Sequence, residues 1–150
     1  MGKQDVLKDI VARKEQQVIA AKQALPQEEL CARLSGAPAT RPFREALVRP
    51  KQISLIAEIK KQSPSGGVLR EEFVPAQIAA LYQKAGAQAI SVLTEEDFFS
   101  GDPAFINEVK QAAALPGLRK DFLFEPYQIY ESRLIGADAV LLIADLLAKE

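Results

Sequence analysis

The sequence contains no histidine and only one cysteine, and this composition restricts the chemistry that the chain can carry. Without histidine, a general acid or base has to be a lysine, a carboxylic acid, a tyrosine or the single cysteine, with a pKa that its surroundings adjust. Cys31 alone excludes an intrachain disulfide framework, and no cysteine cluster suggests a zinc site.

Long apolar runs and an excess of one charge are absent too. No apolar run approaches the roughly 18 residues of a transmembrane helix, and the first residues do not have the pattern of a signal peptide. The 19 basic and 20 acidic residues give a net charge of −1, which provides no electrostatic attraction to nucleic acid or to a membrane surface. These features predict a cytoplasmic protein that binds neither nucleic acid nor membrane.

The order of the predicted elements indicates an α/β fold. Helical patterns come first, at residues 5–24, 27–34 and 42–48. Four short β-rich runs, at 53–59, 87–94, 117–122 and 137–143, then alternate with helical runs at 74–86, 103–114 and 126–136. Strands that alternate with helices predict a parallel sheet with helical crossovers, as either a doubly wound sheet or a barrel. We expect a helical N-terminal extension over residues 1–48 and the β/α unit over residues 49–150.

Three charged residues lie near the C-terminal ends of predicted strands. The two-residue period of a strand puts Glu58 and Lys60 on one face of the first strand, and Lys120 on the same face as Leu118 and Phe122 in the third. Parallel strands bring such ends to one edge of the sheet, where both barrels and open α/β sheets bind ligands. The simpler alternative is that each charge marks the solvated end of a strand.

Four segments then carry a resemblance to a known family. "IAEIKKQSPSGG", "SVLTEEDFFSG", "LRKDFLFEPYQIYESR" and "GADAVLLI", in this order and spacing, resemble indole-3-glycerol phosphate synthase. The resemblance implies a (β/α)8 TIM barrel enzyme of tryptophan biosynthesis. Such a lyase closes the ring of 1-(2-carboxyphenylamino)-1-deoxyribulose 5-phosphate with loss of carbon dioxide and water, and it needs no metal ion or organic cofactor.

The resemblance also implies roles for individual residues. Lys120 matches the lysine that acts as general acid and protonates the ketone oxygen of the substrate. Lys60 matches the lysine that contacts the anionic groups of the substrate, and Glu58 matches the glutamate that holds the lysines in place.

Three further positions match the family's substrate-binding residues. Ser63 lies in the loop after the first strand, and Phe99 and Phe122 match aromatic positions that form the walls around the anthranilate ring. One departure stands in the same loop, where this chain has Gly66 and the family usually has a lysine.

The chain holds only four of the strands that a barrel of about 250 residues requires. We therefore expect strands 1–4, the N-terminal half of the barrel, with the C-terminal half absent. Two alternatives follow from this expectation. The chain is an inactive half-barrel that self-associates, for example as a homodimer that covers the exposed strand edges, or it is a non-catalytic module that binds a phosphorylated ligand.

Overall fold

The computed structural model describes residues 3–69 and 72–147. Its N-terminal part is helical, as predicted, and consists of α1 (Lys3–Ala24), α2 (Gln27–Arg33), a short 3-10 turn (Leu34–Gly36) and α3 (Phe43–Leu47). Pro26 separates the first two helices, because a proline ring cannot continue a helix that precedes it.

Helix α1 packs against the rest of the chain along one narrow stripe. Ile10, Lys14 and Val18 are buried and lie four residues apart, so they fall on the same face of the helix. Most of its other described residues are partly or fully exposed. A lysine in the middle of a buried stripe requires a charged partner in the neighbouring layer, since an unpaired charge is costly to bury.

Four parallel strands form the sheet that follows. They are β1 (Ile56–Ile59), β4 (Ala89–Leu93), β5 (Gly117–Lys120) and β6 (Ala139–Val140), and their order in the sheet is β1-β4-β5-β6. Three helices connect them, namely α4 (Pro75–Lys84), α5 (Ala104–Ala112) and α6 (Pro126–Leu134). Every pair of neighbours is parallel, which confirms the predicted βα arrangement.

All four strands of the sheet are shorter than predicted. The central strands comprise residues 89–93 instead of 87–94 and 117–120 instead of 117–122. Strand β1 begins at Ile56 instead of residue 53, and Ile53 is almost fully exposed. Strand β6 comprises residues 139–140 instead of 137–143, although the Leu141 amide still donates a hydrogen bond to the Arg119 carbonyl. The outer strands β1 and β6 also have a neighbour on one side only, so fewer ladder hydrogen bonds extend them.

The segment after β1, predicted as a turn, forms a small antiparallel hairpin. It contains β2 (Gln62–Ser63) and β3 (Gly67–Val68). The Ser100 hydroxyl donates a hydrogen bond to the side-chain oxygen of Gln62 at 3.1 Å, so the hairpin contacts the loop that follows β4.

The hydrophobic core lies between the sheet and helices α4 and α5. Strand β4, at the centre, is buried at all five positions. Ile59, Ile90 and Val92 from the strands pack with Ile78 of α4 and Ile106 of α5. The core therefore lies on the outer face of the sheet, where Ile59 projects, and the opposite face is left for the polar residues.

Two glycines end helices α4 and α6 with the left-handed backbone that such a position favours. Gly86 has φ +87° and Gly136 has φ +96°, in the left-handed region that residues with a Cβ rarely adopt. Gly86 lies between α4 and β4, and Gly136 lies between α6 and β6. The similar segments that begin at these glycines, GAQAISVL and GADAVLLI, thus form equivalent helix-to-strand connections.

Arg41, in the segment before α3, contacts the end of α5 and the connections that precede β5 and β6. The Arg41 guanidinium donates hydrogen bonds to the carbonyls of Lys110, Ala113 and Leu115, and its backbone amide donates to Asp138. The N-terminal extension is thereby tied to the β/α unit, and the boundary between residues 48 and 49 stays a prediction. In the part of the chain that the structure describes, no helix combines the length and the apolar character needed to cross a bilayer.

Candidate active site

Glu58 is the centre of a three-residue charged cluster on the inner face of the sheet. Its Oε2 lies 2.5 Å from the Lys120 Nζ, and its Oε1 lies 2.8 Å from the Lys60 Nζ. One carboxylate therefore holds two ammonium groups, one on each oxygen. The structure brings together the three residues that the strand period placed on one face.

The register of the sheet explains how Lys120 reaches Glu58 across an intervening strand. Strand β4 lies between β1 and β5, and its Ser91 is in register with Glu58 on one side and Leu118 on the other. Lys120 pairs with Leu93, two residues further toward the C-terminal ends of the strands. Because Ser91 is small, the long Lys120 side chain extends over it to the carboxylate.

Two opposing influences set the pKa of Glu58. Partial burial raises this pKa, whereas the hydrogen bonds and positive charges of Lys120 and Lys60 lower it, and the net effect is a pKa below the usual value of a glutamate. Glu58 is therefore ionised at neutral pH, and its two carboxylate oxygens can accept hydrogen bonds from both lysine side chains.

The cluster remains open to ligands. About a third of each side chain is exposed: 31% of Glu58, 29% of Lys60 and 39% of Lys120. Two ammonium groups on an accessible rim can bind an anionic group, and either can donate a proton to a bound oxygen. Within residues 3–69 and 72–147, no group of three or more His, Cys, Asp or Glu side chains is placed to hold a metal ion.

The predicted substrate-binding residues are only partly brought together. The rings of Phe99 and Phe122, from the loops after β4 and β5, lie 6.2 Å apart between centroids and are tilted by 38°. This distance is within the range of interacting aromatic pairs. Ser63 lies in the hairpin strand β2, where its hydroxyl oxygen accepts a hydrogen bond from the Gly66 amide at 3.1 Å.

A second polar cluster lies on the opposite face of β5, and sequence reasoning did not find it. Asp121 is buried and its carboxylate contacts three side chains: Lys14 at 3.0 Å, Arg119 at 3.1 Å and the Thr94 hydroxyl at 2.7 Å. Lys14 is the buried lysine of α1, so this ion pair is the partner that its position requires. The alternation of Arg119, Lys120 and Asp121 along the strand signals a polar outer face, but it does not identify a partner 107 residues away.

Burial and charge oppose each other at Asp121 as well. Burial raises the pKa of its carboxyl group, but Arg119 and Lys14 outweigh burial and lower the pKa below the usual range. Arg119 also donates hydrogen bonds to Glu131 at 2.7 Å and to Ser132 at 3.1 Å. The residues on both sides of Lys120 are thus fixed, which restricts the backbone from which Lys120 projects.

Comparison with known proteins identifies the family. Residues 7–150 match the family model of indole-3-glycerol phosphate synthase. Among curated proteins, the indole-3-glycerol phosphate synthases of Azoarcus sp. and Rhodopirellula baltica are 48% identical over 147 residues and 47% identical over 146 residues. The synthase of Alkaliphilus metalliredigens is 43% identical over 145 residues. These matches cover 96–97% of this chain.

The same comparisons also show how much of each relative this chain covers. The chain spans 56% of the length of these three relatives. The four parallel strands and their helical crossovers agree with the first part of a (β/α)8 barrel, so the predicted fold class is confirmed together with the family. The chain belongs to the indole-3-glycerol phosphate synthase family.

Proposed function

We propose that this chain supplies the N-terminal half of the active site of an indole-3-glycerol phosphate synthase. The reaction closes the ring of 1-(2-carboxyphenylamino)-1-deoxyribulose 5-phosphate with loss of carbon dioxide and water. The observation that supports this proposal is the cluster of Glu58, Lys60 and Lys120 at the C-terminal ends of β1 and β5, where barrel enzymes place their catalytic groups.

Each residue of the cluster has a distinct role in the proposal. Lys120 donates a proton to the ketone oxygen of the substrate as the new carbon–carbon bond forms, which neutralises the charge that develops there. Lys60 binds an anionic group of the substrate and orients it. Glu58 accepts hydrogen bonds from both ammonium groups and so fixes their separation before the substrate arrives.

The other half of the site has to come from residues equivalent to the uncovered part of the relatives. TIM barrels commonly bind phosphate through the loops after strands seven and eight. Phe99 and Phe122 would then enclose the aromatic end of the substrate on this side, and Ser63 would contact it from the hairpin.

We define the fused protein as this chain followed by the C-terminal part of the Azoarcus synthase that the match leaves uncovered. Calorimetric titration with a reduced substrate analogue, which cannot close its ring, should show binding. Lys60→Met should weaken that binding about 10- to 100-fold, because a hydrogen bond between two charged groups is lost.

The matched control for this titration is Lys84→Met, which removes an exposed lysine from the last turn of α4 and should leave the affinity unchanged. Equal affinities of the wild type and Lys60→Met would show that the substrate does not bind at this rim. Binding by the fused protein without any turnover would favour the non-catalytic binding module.

We further propose that the chain by itself is inactive and self-associates. Strands β1 and β6 are both open edges of the sheet, and each has its backbone groups paired on one side only. Exposed apolar residues lie beside them: Ile56 is 43% exposed in β1, and Leu142 is 50% exposed just after β6. A homodimer that pairs β1 of one copy with β6 of the other would close both edges.

Sedimentation of the chain at micromolar concentration should therefore show a dimer. Ile56→Lys should shift the equilibrium to monomer, because it places a charge on the edge that the second copy covers. Leu81→Lys is the matched control, since Leu81 is 57% exposed but lies in helix α4 and takes no part in strand pairing. A folded wild-type monomer at this concentration would contradict the proposal.

A further inference from the structure

A fully buried carboxylate organises the loop that follows β4. Glu95 lies two residues after the last residue of the strand, and only 1% of it is exposed. Glutamate is among the residues that are least often buried. We therefore expect the buried Glu95 carboxylate either to stabilise the fold or to support the site.

The hydrogen bonds of Glu95 are directed at the backbone of its own loop. Its Oε2 accepts the amide N–H groups of Phe98 at 2.7 Å and Phe99 at 3.1 Å, and its Oε1 accepts that of Asp97 at 3.2 Å. Three consecutive amides thus converge on one carboxylate. The main-chain carbonyl of Glu95 also accepts the Gly101 amide at 2.7 Å, which closes the loop.

The loop is too tight to keep this shape through backbone preference alone. Ser100 has φ +49°, in the region that non-glycine residues rarely adopt. A Cβ on Gly101 would lie 2.7 Å from the carbonyl oxygens of Glu95 and Leu93, closer than real Cβ contacts allow. Something has to stabilise such a turn, and the buried carboxylate supplies hydrogen bonds to three of its amides.

The loop connects the site to two other elements. The Asp97 carboxylate accepts hydrogen bonds from Arg13 at 2.7 Å and Gln17 at 2.9 Å, both on α1. Ser100 donates to Gln62 of the hairpin. Between these contacts the loop presents Phe99, whose ring lies against Phe122.

We infer that Glu95 is a positioning residue for substrate binding, which acts by holding the backbone of Phe99. The Phe99 amide is bound directly to the carboxylate, so the ring projects from a fixed point toward Phe122. The residue thereby sets the width of the space that receives the aromatic ring of the substrate. This inference rests on the proposed function, because it assumes that Phe99 contacts that ring.

Amide hydrogen exchange in the chain itself tests the first half of the inference. In Glu95→Gln, the side-chain NH2 replaces one of the acceptor oxygens and opposes the amide donors. We expect exchange at residues 97–99 to accelerate about tenfold or more. Glu96→Gln, which changes the adjacent exposed carboxylate, should leave these amides protected. Unchanged exchange in Glu95→Gln would overturn the inference.

A double-mutant cycle in the fused protein tests the second half. Glu95→Gln and Phe99→Leu should each lower kcat/KM about 10- to 100-fold, since small displacements of a binding group have effects of this size. If Glu95 acts through Phe99, the double variant should be no worse than Phe99→Leu alone. Losses that multiply would overturn the inference, because they would show that the two residues act independently.

Two further results separate this inference from the proposed function. If Glu95→Gln fails to fold, Glu95→Asp keeps the carboxylate on a shorter side chain and should show the same non-additive loss in smaller measure. A wild-type fused protein that forms no product would overturn the proposed function. A fused protein that turns over and keeps its kcat/KM after Glu95→Gln would overturn this inference alone.

Discussion

Lys120→Ala should lower kcat of the fused protein by about 10²- to 10⁴-fold, the range that removal of a general acid produces. The expected loss is in kcat because the proton is transferred as the ring closes. Lys120 is held 2.5 Å from Glu58 and is 39% exposed, so it is both oriented and accessible to substrate. Lys84→Ala, on the exposed face of α4, is the control and should keep normal kcat.

Lys120→Arg separates proton donation from charge. A guanidinium keeps the positive charge and can still pair with Glu58, but its pKa is too high for it to give up a proton near neutral pH. We therefore expect Lys120→Arg to have a kcat as low as that of Lys120→Ala, with a KM closer to the wild type. Recovery of kcat in Lys120→Arg would mean that charge alone suffices, and normal kcat in Lys120→Ala would refute the acid assignment.

Asp121→Asn should produce the largest loss of stability among single substitutions in the polar cluster behind β5. The substitution removes the charge that faces both Lys14 and Arg119, and leaves two buried cations without their shared partner. Breaking a buried ion pair costs about 3–5 kcal/mol, and urea denaturation of the chain would measure this change in the free energy of unfolding. Loss of less than about 1 kcal/mol would contradict the central role of Asp121.

An exposed ion pair of the same chain serves as the control. Glu29 and Arg33 lie four residues apart on α2, and both side chains are more than half exposed. Glu29→Gln should cost only about 0.3–0.5 kcal/mol, because solvent screens such pairs.

The effect of Asp121→Asn should also depend on pH. The folded-state pKa of Asp121 is lowered, so its ionised form stabilises the fold above the pKa of the unfolded chain, and this contribution disappears as the pH falls toward the folded-state value. The difference in unfolding free energy between the wild type and Asp121→Asn should therefore shrink as the pH is lowered below about 5. A difference that stays constant over this range would show that the carboxylate charge is not its source.

The charged cluster could be predicted from the sequence because its placement depends on the local geometry of strands. The two-residue period of a strand fixed the faces of Glu58, Lys60 and Lys120, and parallel pairing put the strand ends at one edge. The side chains of Lys60 and Lys120 are long enough to reach the Glu58 carboxylate from these positions. Phe99 and Phe122 came from the family resemblance instead, and the structure adds that their rings are close together.

Contacts that depend on how α1 packs could not be predicted in this way. Lys14 looks like one of several surface lysines of an amphipathic helix, and only the packing of α1 on the β/α unit places it against Asp121. The burial of Glu95 could not be predicted for a different reason. It stands beside Glu96 and Asp97 in a segment that is charged by composition, and nothing in that composition distinguishes the buried carboxylate from the exposed ones.

The lengths of the outer strands β1 and β6 could not be predicted from the sequence either. The apolar residues around β1 and β6 have the composition of buried strands, which is why longer strands were predicted at 53–59 and 137–143. In the structure both strands lie at open edges, and Ile53 and Leu142 are exposed. The composition therefore fits a closed barrel, where both edges have neighbours, better than it fits the four-stranded sheet.

The formation of indole-3-glycerol phosphate by the fused protein, followed by its fluorescence, tests the central claim most directly. We predict steady turnover of 1-(2-carboxyphenylamino)-1-deoxyribulose 5-phosphate by the wild-type fusion, and none by this chain alone. A correctly folded fusion that binds the reduced analogue but forms no indole-3-glycerol phosphate would contradict the claim that Glu58, Lys60 and Lys120 supply half of a synthase site.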